Sequence, residues 1–200
     1  VNLFLFNNLP FSDAIRIGTF CTISGYTCTG LQNSLLQWAA LPLIVVTLLM
    51  MIGGAAGSTS GGIKTNRVIL GYEGLVWWFK RLFVRGNVIV PFKHEGRNIP
   101  TRISEVELSK NMLIIILYVL TIFVAAILAL HLAPTDFEVH QVVFELVSAA
   151  SNVGLGLGYV TAASPVTIKW VFILVMWIGR LEIVPVFILL MGIVRGFEAR

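Results

Sequence analysis

Charged residues are scarce in this chain of 200 residues. They make up 12% of it, against 57% hydrophobic residues, and the mean hydropathy is +0.89. Soluble domains carry about 25% charged residues and have a much lower hydropathy. The shortage of charge therefore excludes an ordinary soluble domain and predicts an integral membrane protein.

The chain has two cysteines and three histidines, and they are dispersed. Cys21 and Cys28 lack CxxC spacing and have no histidine cluster nearby, so we expect buried thiols, with neither a metal site nor a redox motif. His94, His131 and His140 are scattered, and no pair of carboxylates shares an apolar span. An intramembrane enzyme would need an acid, base or nucleophile set. We therefore predict no catalytic residues and no cofactor, and keep an enzyme of unknown reaction or a nonconducting membrane scaffold as alternatives.

An initiator methionine and a signal peptide are also missing from the start of the sequence, which opens at Val1. A secretory signal would show a basic region, an apolar stretch and a small-residue cleavage site. We expect that the sequence begins inside a longer protein.

Long apolar runs are abundant. Three could cross a hydrocarbon core of about 30 Å, which needs about 20 apolar residues: Leu35 to Ile52, Ser109 to Leu132 and Pro165 to Val194. Ala14 to Ile23 and Val139 to Ala150 are too short to cross. We predict that these two are re-entrant helices in a multi-pass protein of the cell membrane.

Positive charge is concentrated in one part of the sequence. Nine of the fourteen Lys and Arg residues fall between Lys64 and Lys110. Cytoplasmic loops of membrane proteins carry such an excess. We therefore place this region in the cytoplasm, and we expect no nucleic-acid partner.

A glycine run interrupts the first long apolar stretch. Residues 53–62 contain five glycines, two alanines and three hydroxyl residues. Each glycine costs a helix roughly 1 kcal/mol, and irregular backbone at membrane depth occurs only where it lines a cavity or lies inside protein. The run therefore predicts an intramembrane loop beside a pore.

The two halves of the sequence follow one plan. In each half a short apolar segment leads into a turn of small polar residues and glycine, at 22–26 and 151–156, and a long span follows. A helix that ends inside the bilayer directs its partly negative carbonyl end to the midplane, which favours a cation. Successive carbonyls after such a helix can replace the hydration shell of an ion. Two such turns favour an ion path.

Three motifs resemble one family of transporters. They are GGAAGSTSGGIK at 53–64, SNVGLGLG at 151–158 and GRLE at 179–182. Together they resemble the potassium-translocating membrane subunit of the Trk/Ktr/HKT superfamily. The resemblance covers the C-terminal half of such a subunit and implies an all-α integral membrane fold of helix/pore-loop/helix repeats, with the third and fourth of four repeats present.

The resemblance also implies a division of the chain. Residues 1–83 would form the third pore repeat, with a pore helix, a filter turn and an inner helix broken by the glycine loop. Residues 84–107 would form a cytoplasmic connection. Residues 108–200 would form the fourth repeat, with an outer helix, pore helix, filter turn and inner helix.

The function implied is potassium uptake through a gated pore with a selectivity filter and no covalent chemistry. K⁺ would be the transported ion, and its expected ligands are the filter residues Thr22, Ile23, Ser24, Gly25, Ser151, Asn152, Val153 and Gly154. The expected gate consists of Gly53, Gly54, Gly57, Ser58, Thr59, Gly61 and Gly62, with Arg180 from the last helix.

Several partners follow from the same resemblance. The N-terminal half of the same protein would supply the first two pore repeats. We further expect a homodimer, membrane lipid around the helices, and a cytoplasmic nucleotide-binding regulatory subunit.

Overall fold

The computed structural model describes residues 10–33, 38–55, 58, 60–84, 91–94, 97–99, 101–132, 137–181, 188 and 192. Helices dominate these ranges, joined by one short hairpin. In chain order the elements are α1 (Phe11–Tyr26), α2 (Ala40–Ile52), α3 (Thr65–Phe83), β1 (Phe92–His94), β2 (Arg97–Ile99), α4 (Thr101–Leu132), α5 (Val139–Ala150) and α6 (Val166–Leu181).

Helix α4 is long and apolar enough to cross a membrane. The stretch Ser104–Leu132 has 29 residues, and its most apolar 18-residue window has a mean hydropathy of 3.1. Within the described ranges the other two predicted spans are shorter, because α2 has 13 residues and α6 is described over 16. Thirteen helical residues reach only about 20 Å. The break after Ile52 therefore separates α2 from α3, as the glycine run predicts.

Helix α5 lies at the centre of the fold. Every residue from Phe144 to Ala150 is buried, and the helix contacts α2, α4 and α6. Its 12 residues reach about 18 Å, roughly half of a hydrocarbon core. An apolar helix that is too short to span and is buried from Phe144 to its end fits the predicted re-entrant segment at 139–150.

The region between α3 and α4 is more ordered than the predicted connection. An antiparallel hairpin pairs Phe92 with Ile99, and α4 already begins at Thr101. Helix α4 therefore begins inside the predicted connection 84–107. The hairpin is held because buried Phe92 meets the ring of Trp77 edge-on, with 5.8 Å between ring centroids.

Helices α3 and α4 approach each other closely at glycine. The Asn111 side-chain amide on α4 donates to the backbone carbonyl of Arg67 on α3, at 2.8 Å. Leu108 precedes Asn111 by about one turn on α4, and its side chain occupies the space that a Cβ of Gly74 would need. At Gly71 the same face leaves room, because a Cβ would meet its nearest neighbours at 3.6 Å.

These two glycines give a matched test of the packing between α3 and α4. We expect Gly74→Ala to lower the midpoint of thermal unfolding of the detergent-solubilised complete protein relative to Gly71→Ala. Both variants gain about 1 kcal/mol of helix propensity, whereas only the first overpacks Leu108, at a cost of about 1–3 kcal/mol. Equal midpoints for the two variants would show that the helices are not in close contact at Gly74.

Candidate functional site

Helices α1 and α5 end in turns of the same backbone geometry. We call residues Thr27–Gly30 the α1 turn and residues Ser151–Gly154 the α5 turn. The first residues have φ/ψ of −80°/−2° and −84°/−3°, and the second residues both have φ of 54°. The fourth residue is glycine at φ of 75° and 92°, respectively. The two turns are therefore structural equivalents, offset by 124 positions. Gln32 and Gly156, just beyond the turns, are separated by the same number of positions.

Backbone hydrogen bonds match as well. The third residue of each turn donates to a carbonyl in the last turn of its helix, from Thr29 N to Ser24 O at 3.0 Å and from Val153 N to Ser148 O at 2.9 Å. Positive φ is uncommon for residues other than glycine. A conformation that recurs at Cys28 and Asn152 is set by the fold rather than by one local sequence.

The predicted turn at residues 22–26 is wrong. Thr22, Ile23, Ser24 and Gly25 are helical residues of α1, and the Thr22 hydroxyl donates to the Gly18 carbonyl at 2.7 Å. Gly25 is buried, with a Cβ position only 3.1 Å from Cγ1 of Val46. Its role is to let α2 approach. The sequence offers two groups of hydroxyl residues next to glycine, and the turn forms at the second.

The two turns lie side by side. A Cβ on Gly30 would overlap the Val153 carbonyl oxygen, and one on Gly154 would lie 3.9 Å from Cα of Gly30. Glycine is required at position 30 for two reasons, since its φ is positive and its neighbour leaves no space. The backbones of both halves of the chain thus meet at the turns.

The segment after the α5 turn, residues 155–159, is held by side chains that the sequence did not single out as a site. Glu145 is buried on α5, and its Oε1 accepts the N–H of Leu157 at 2.6 Å and that of Tyr159 at 2.8 Å. Gln32 Oε1 accepts the N–H of Gly156 at 2.8 Å. We call residues 155–159 the post-turn segment.

One signal for Glu145 was present in the sequence. An acidic side chain within an apolar membrane segment is costly and therefore usually has a specific partner. Sequence spacing separates Glu145 from His140, and the structure agrees, because His140 Nδ1 lies 3.1 Å from Oε2 of Glu138 instead. The partners of Glu145 are backbone amides more than ten residues away, which no helical spacing could indicate.

The glycine loop, residues 53–64, folds back on itself. Gly53 and Gly62 have φ of 67° and 80°, and Ile63 N donates to Met51 O at 3.0 Å. The hydroxyl of Ser60 accepts from Gly54 N at 3.1 Å. The predicted gate residues Gly57 and Thr59 lie outside the described residues.

The glycine loop also contacts the end of α5. Gly61 N donates to the Ser151 carbonyl at 3.0 Å, and a Cβ on Gly61 would lie 2.7 Å from that carbonyl carbon. The Ser151 hydroxyl pairs with the hydroxyl of Tyr118 on α4, at 2.7 Å. From the other side, a Cβ on Gly179 would overlap the Ala150 carbonyl. The glycine of the GRLE motif is thus explained by close contact between α6 and α5.

A cavity of about 270 Å³ lies among the two turns, the glycine loop and α6. Its walls come from both turns, the loop and α6, and the lining residues are Thr27, Cys28, Asn152, Gly54, Ser58, Ser60 and Arg180. The structure therefore brings Arg180 and part of the predicted gate together with the α5 turn. In the described part of the chain, no group of three His, Cys, Asp or Glu side chains is placed to hold a metal. The lining includes the hydroxyl groups of Thr27, Ser58 and Ser60 and the side-chain amide of Asn152.

Known proteins of similar sequence and structure agree on one family. A family model described as a cation transport protein, TrkH, matches residues 2–194. The Trk system potassium uptake protein TrkH of Escherichia coli strain K12 is 32% identical over 184 residues, which cover 87% of this chain and 34% of that protein. The Ktr system potassium uptake protein D of Bacillus subtilis is 31% identical over 192 residues, covering 94% and 36%.

A solved structure is similar as well. The crystal structure of the potassium transporter TrkH from Vibrio parahaemolyticus matches with a TM-score of 0.75 and 26% identity, over 94% of this chain and 40% of that one. The chain spans about a third of the length of the two uptake proteins. These findings confirm the resemblance drawn from the three motifs, and the alternative of an enzyme is wrong because the family and its members are transporters. This chain belongs to the TrkH family of membrane cation transport proteins.

Proposed function

We propose that this chain forms half of a gated pore for potassium uptake across the cell membrane, in a multi-pass protein. One observation carries the proposal: two helix–turn units with matching backbone angles meet at their glycines. The names of the related uptake proteins supply the ion. The N-terminal half of the same protein provides the rest of the pore wall.

The α1 turn and the α5 turn are the filter strands in this proposal. Each follows a helix whose partly negative carbonyl end faces the pore axis and favours a cation. Backbone carbonyls of Thr27–Gly30 and Ser151–Gly154 then replace water around K⁺. The expected ligands of the third repeat thereby move from Thr22–Gly25 to Thr27–Gly30, while those of the fourth repeat are unchanged.

The glycine loop acts as the gate below the filter. The Gly61 N–H of the loop donates to the Ser151 carbonyl, and other loop residues line the cavity beside the turns together with Arg180. A backbone hydrogen bond contributes about 1 kcal/mol net, so detaching the loop at this point costs little. A carbonyl has two lone pairs, and the Ser151 oxygen becomes available to an ion when the loop leaves.

Uptake needs no covalent chemistry in this mechanism. The membrane potential contributes about 2.3 kcal/mol per charge per 100 mV, which suffices to accumulate K⁺ through a selective pore. We extend the proposal to a homodimer surrounded by lipid, with a nucleotide-binding regulatory subunit on the cytoplasmic side. That subunit would supply the energy that moves the loop.

Complementation tests the function as a whole. We expect the complete protein to restore growth of potassium-uptake-deficient cells at low external K⁺, because it supplies an inward path for the ion. Growth is measured against cells that carry an empty vector. Absence of rescue by protein that has reached the membrane would favour the nonconducting scaffold.

Substitution of glycine tests the filter. We expect Gly30→Ser and Gly154→Ser each to lower the K⁺ over Na⁺ permeability ratio about tenfold, or about 1.4 kcal/mol, because carbonyls at positive-φ glycines are displaced. Gly25→Ala is the control, since the added Cβ would meet the side chains of Val46 and Met50 and no backbone carbonyl of either turn. Reversal potentials give the ratio. A loss at Gly25 without a loss at Gly30 would return the filter to residues 22–25.

Deletion tests the gate. We expect that removing Ala55 to Ser60 raises K⁺ flux in the closed state severalfold, because the loop then no longer fills the space below the turns. A variant with glycine at the same positions preserves the length of the loop and is the control. Flux of ⁸⁶Rb⁺ into vesicles measures the leak. If the deletion variant leaks no more than the parent, the loop is not the barrier.

A further inference from the structure

Gln32 joins the two filter turns beyond their glycines. It follows Gly30 by two positions on the α1 side, and its Oε1 accepts the N–H of Gly156, which follows Gly154 by two positions. Within the described residues, this is the hydrogen bond that connects segment 27–33 with segment 151–159. At Gly30 and Val153 the same segments meet only through packing.

Side chains outside the post-turn segment hold it in position. Glu145 holds the next amides of the post-turn segment, those of Leu157 and Tyr159, and Glu145 itself lies on the buried helix α5. Tyr159 is anchored further, because its hydroxyl donates to the Ala129 carbonyl on α4 at 3.0 Å. The post-turn segment is therefore anchored at Leu157 and Tyr159, and the hydrogen bond of Gln32 connects the α1 side to it.

The two repeats differ at the positions that perform this function. Position 21 of α1 is equivalent to position 145 of α5, and it is a buried cysteine in place of the glutamate. The α1 side therefore has no carboxylate of its own at that position to hold the chain after its turn. A side chain that reaches across to the other repeat compensates for this difference.

We propose that Gln32 is a positioning residue that sets the distance between the two filter strands and thereby the preference for K⁺ over Na⁺. This inference rests on the proposed function. Gln32 does not touch the ion. It acts through Gly156, because the spacing of backbone carbonyls around an ion depends on the spacing of the strands that carry them.

The test compares three variants of the complete protein by reversal potential. Gln32→Met preserves the length of the side chain and removes the strong acceptor oxygen, and we expect its K⁺ over Na⁺ permeability ratio to fall about three- to tenfold, the factor that corresponds to one net hydrogen bond. Gln32→Glu retains an acceptor oxygen, and we expect it to preserve the ratio within about twofold. Asn33→Leu removes the neighbouring exposed amide and leaves the ratio unchanged.

Several results would overturn the proposal. A parental ratio in Gln32→Met, an equal loss in Gln32→Glu, or an equal loss in Asn33→Leu would each remove Gln32 from this role. The reversal potential does not depend on how many transporters reach the membrane, and if Gln32→Met is not delivered there, Gln32→Ala replaces it with the same expectation. Failure of the proposed function is distinguishable, because the parental protein would then pass no K⁺ at all.

Discussion

The end of helix α5 is the point on which the site depends. At Ala150 and Ser151 two other elements come close enough for backbone to contact backbone, at Gly61 of the glycine loop and Gly179 of α6. The Tyr118 hydroxyl of α4 binds the Ser151 side chain at the same place. A methyl group at either glycine would push one of these elements away. Because the α5 turn begins at Ser151, anything that shifts this junction shifts the turn.

This junction also explains why the loop and the turn can influence each other. The Ser151 carbonyl is bound by the loop, while its hydroxyl is bound by the long helix α4. A buried hydroxyl pair of this kind resists movement, since an unmade partner costs about 1–3 kcal/mol. The glycine loop therefore contacts the α5 turn at one carbonyl, while α4 holds the side chain of the same residue.

The two helix–turn units have the same backbone conformation, but they differ in the side chains that hold the segment after each turn. Both turns have the same dihedral pattern, yet Glu145 holds only the segment after the α5 turn, and its equivalent on α1 is Cys21. Glu145 is buried on α5, which contacts α2, α4 and α6, and the amides of Leu157 and Tyr159 satisfy its carboxylate there. The exposed Gln32 then links the two units.

The local chemistry of the chain was readable from its sequence. Scarce charge and long apolar runs required a membrane protein, the glycine run required a break after Ile52, and a 12-residue apolar stretch required a short buried helix at 139–150. The sequence placed the α5 turn because Ser151 to Gly156 is the first group with small polar residues and glycine after that stretch. Each of these is a property of neighbouring residues, for which composition and length suffice.

Tertiary structure decided what two distant segments do together. The sequence could not choose between Gly25 and Gly30, since both follow hydroxyl residues, and only the contact with Val153 requires the chain to turn at Gly30. The sequence could not indicate the partners of Glu145 or Gln32, because these partners are backbone N–H groups, which nearly every residue has. The sequence by itself determined the short apolar helix at 139–150 and the break after Ile52, while the fold alone decided that the chain turns at Thr27–Gly30 and not at 22–26, because that depends on how close another backbone comes.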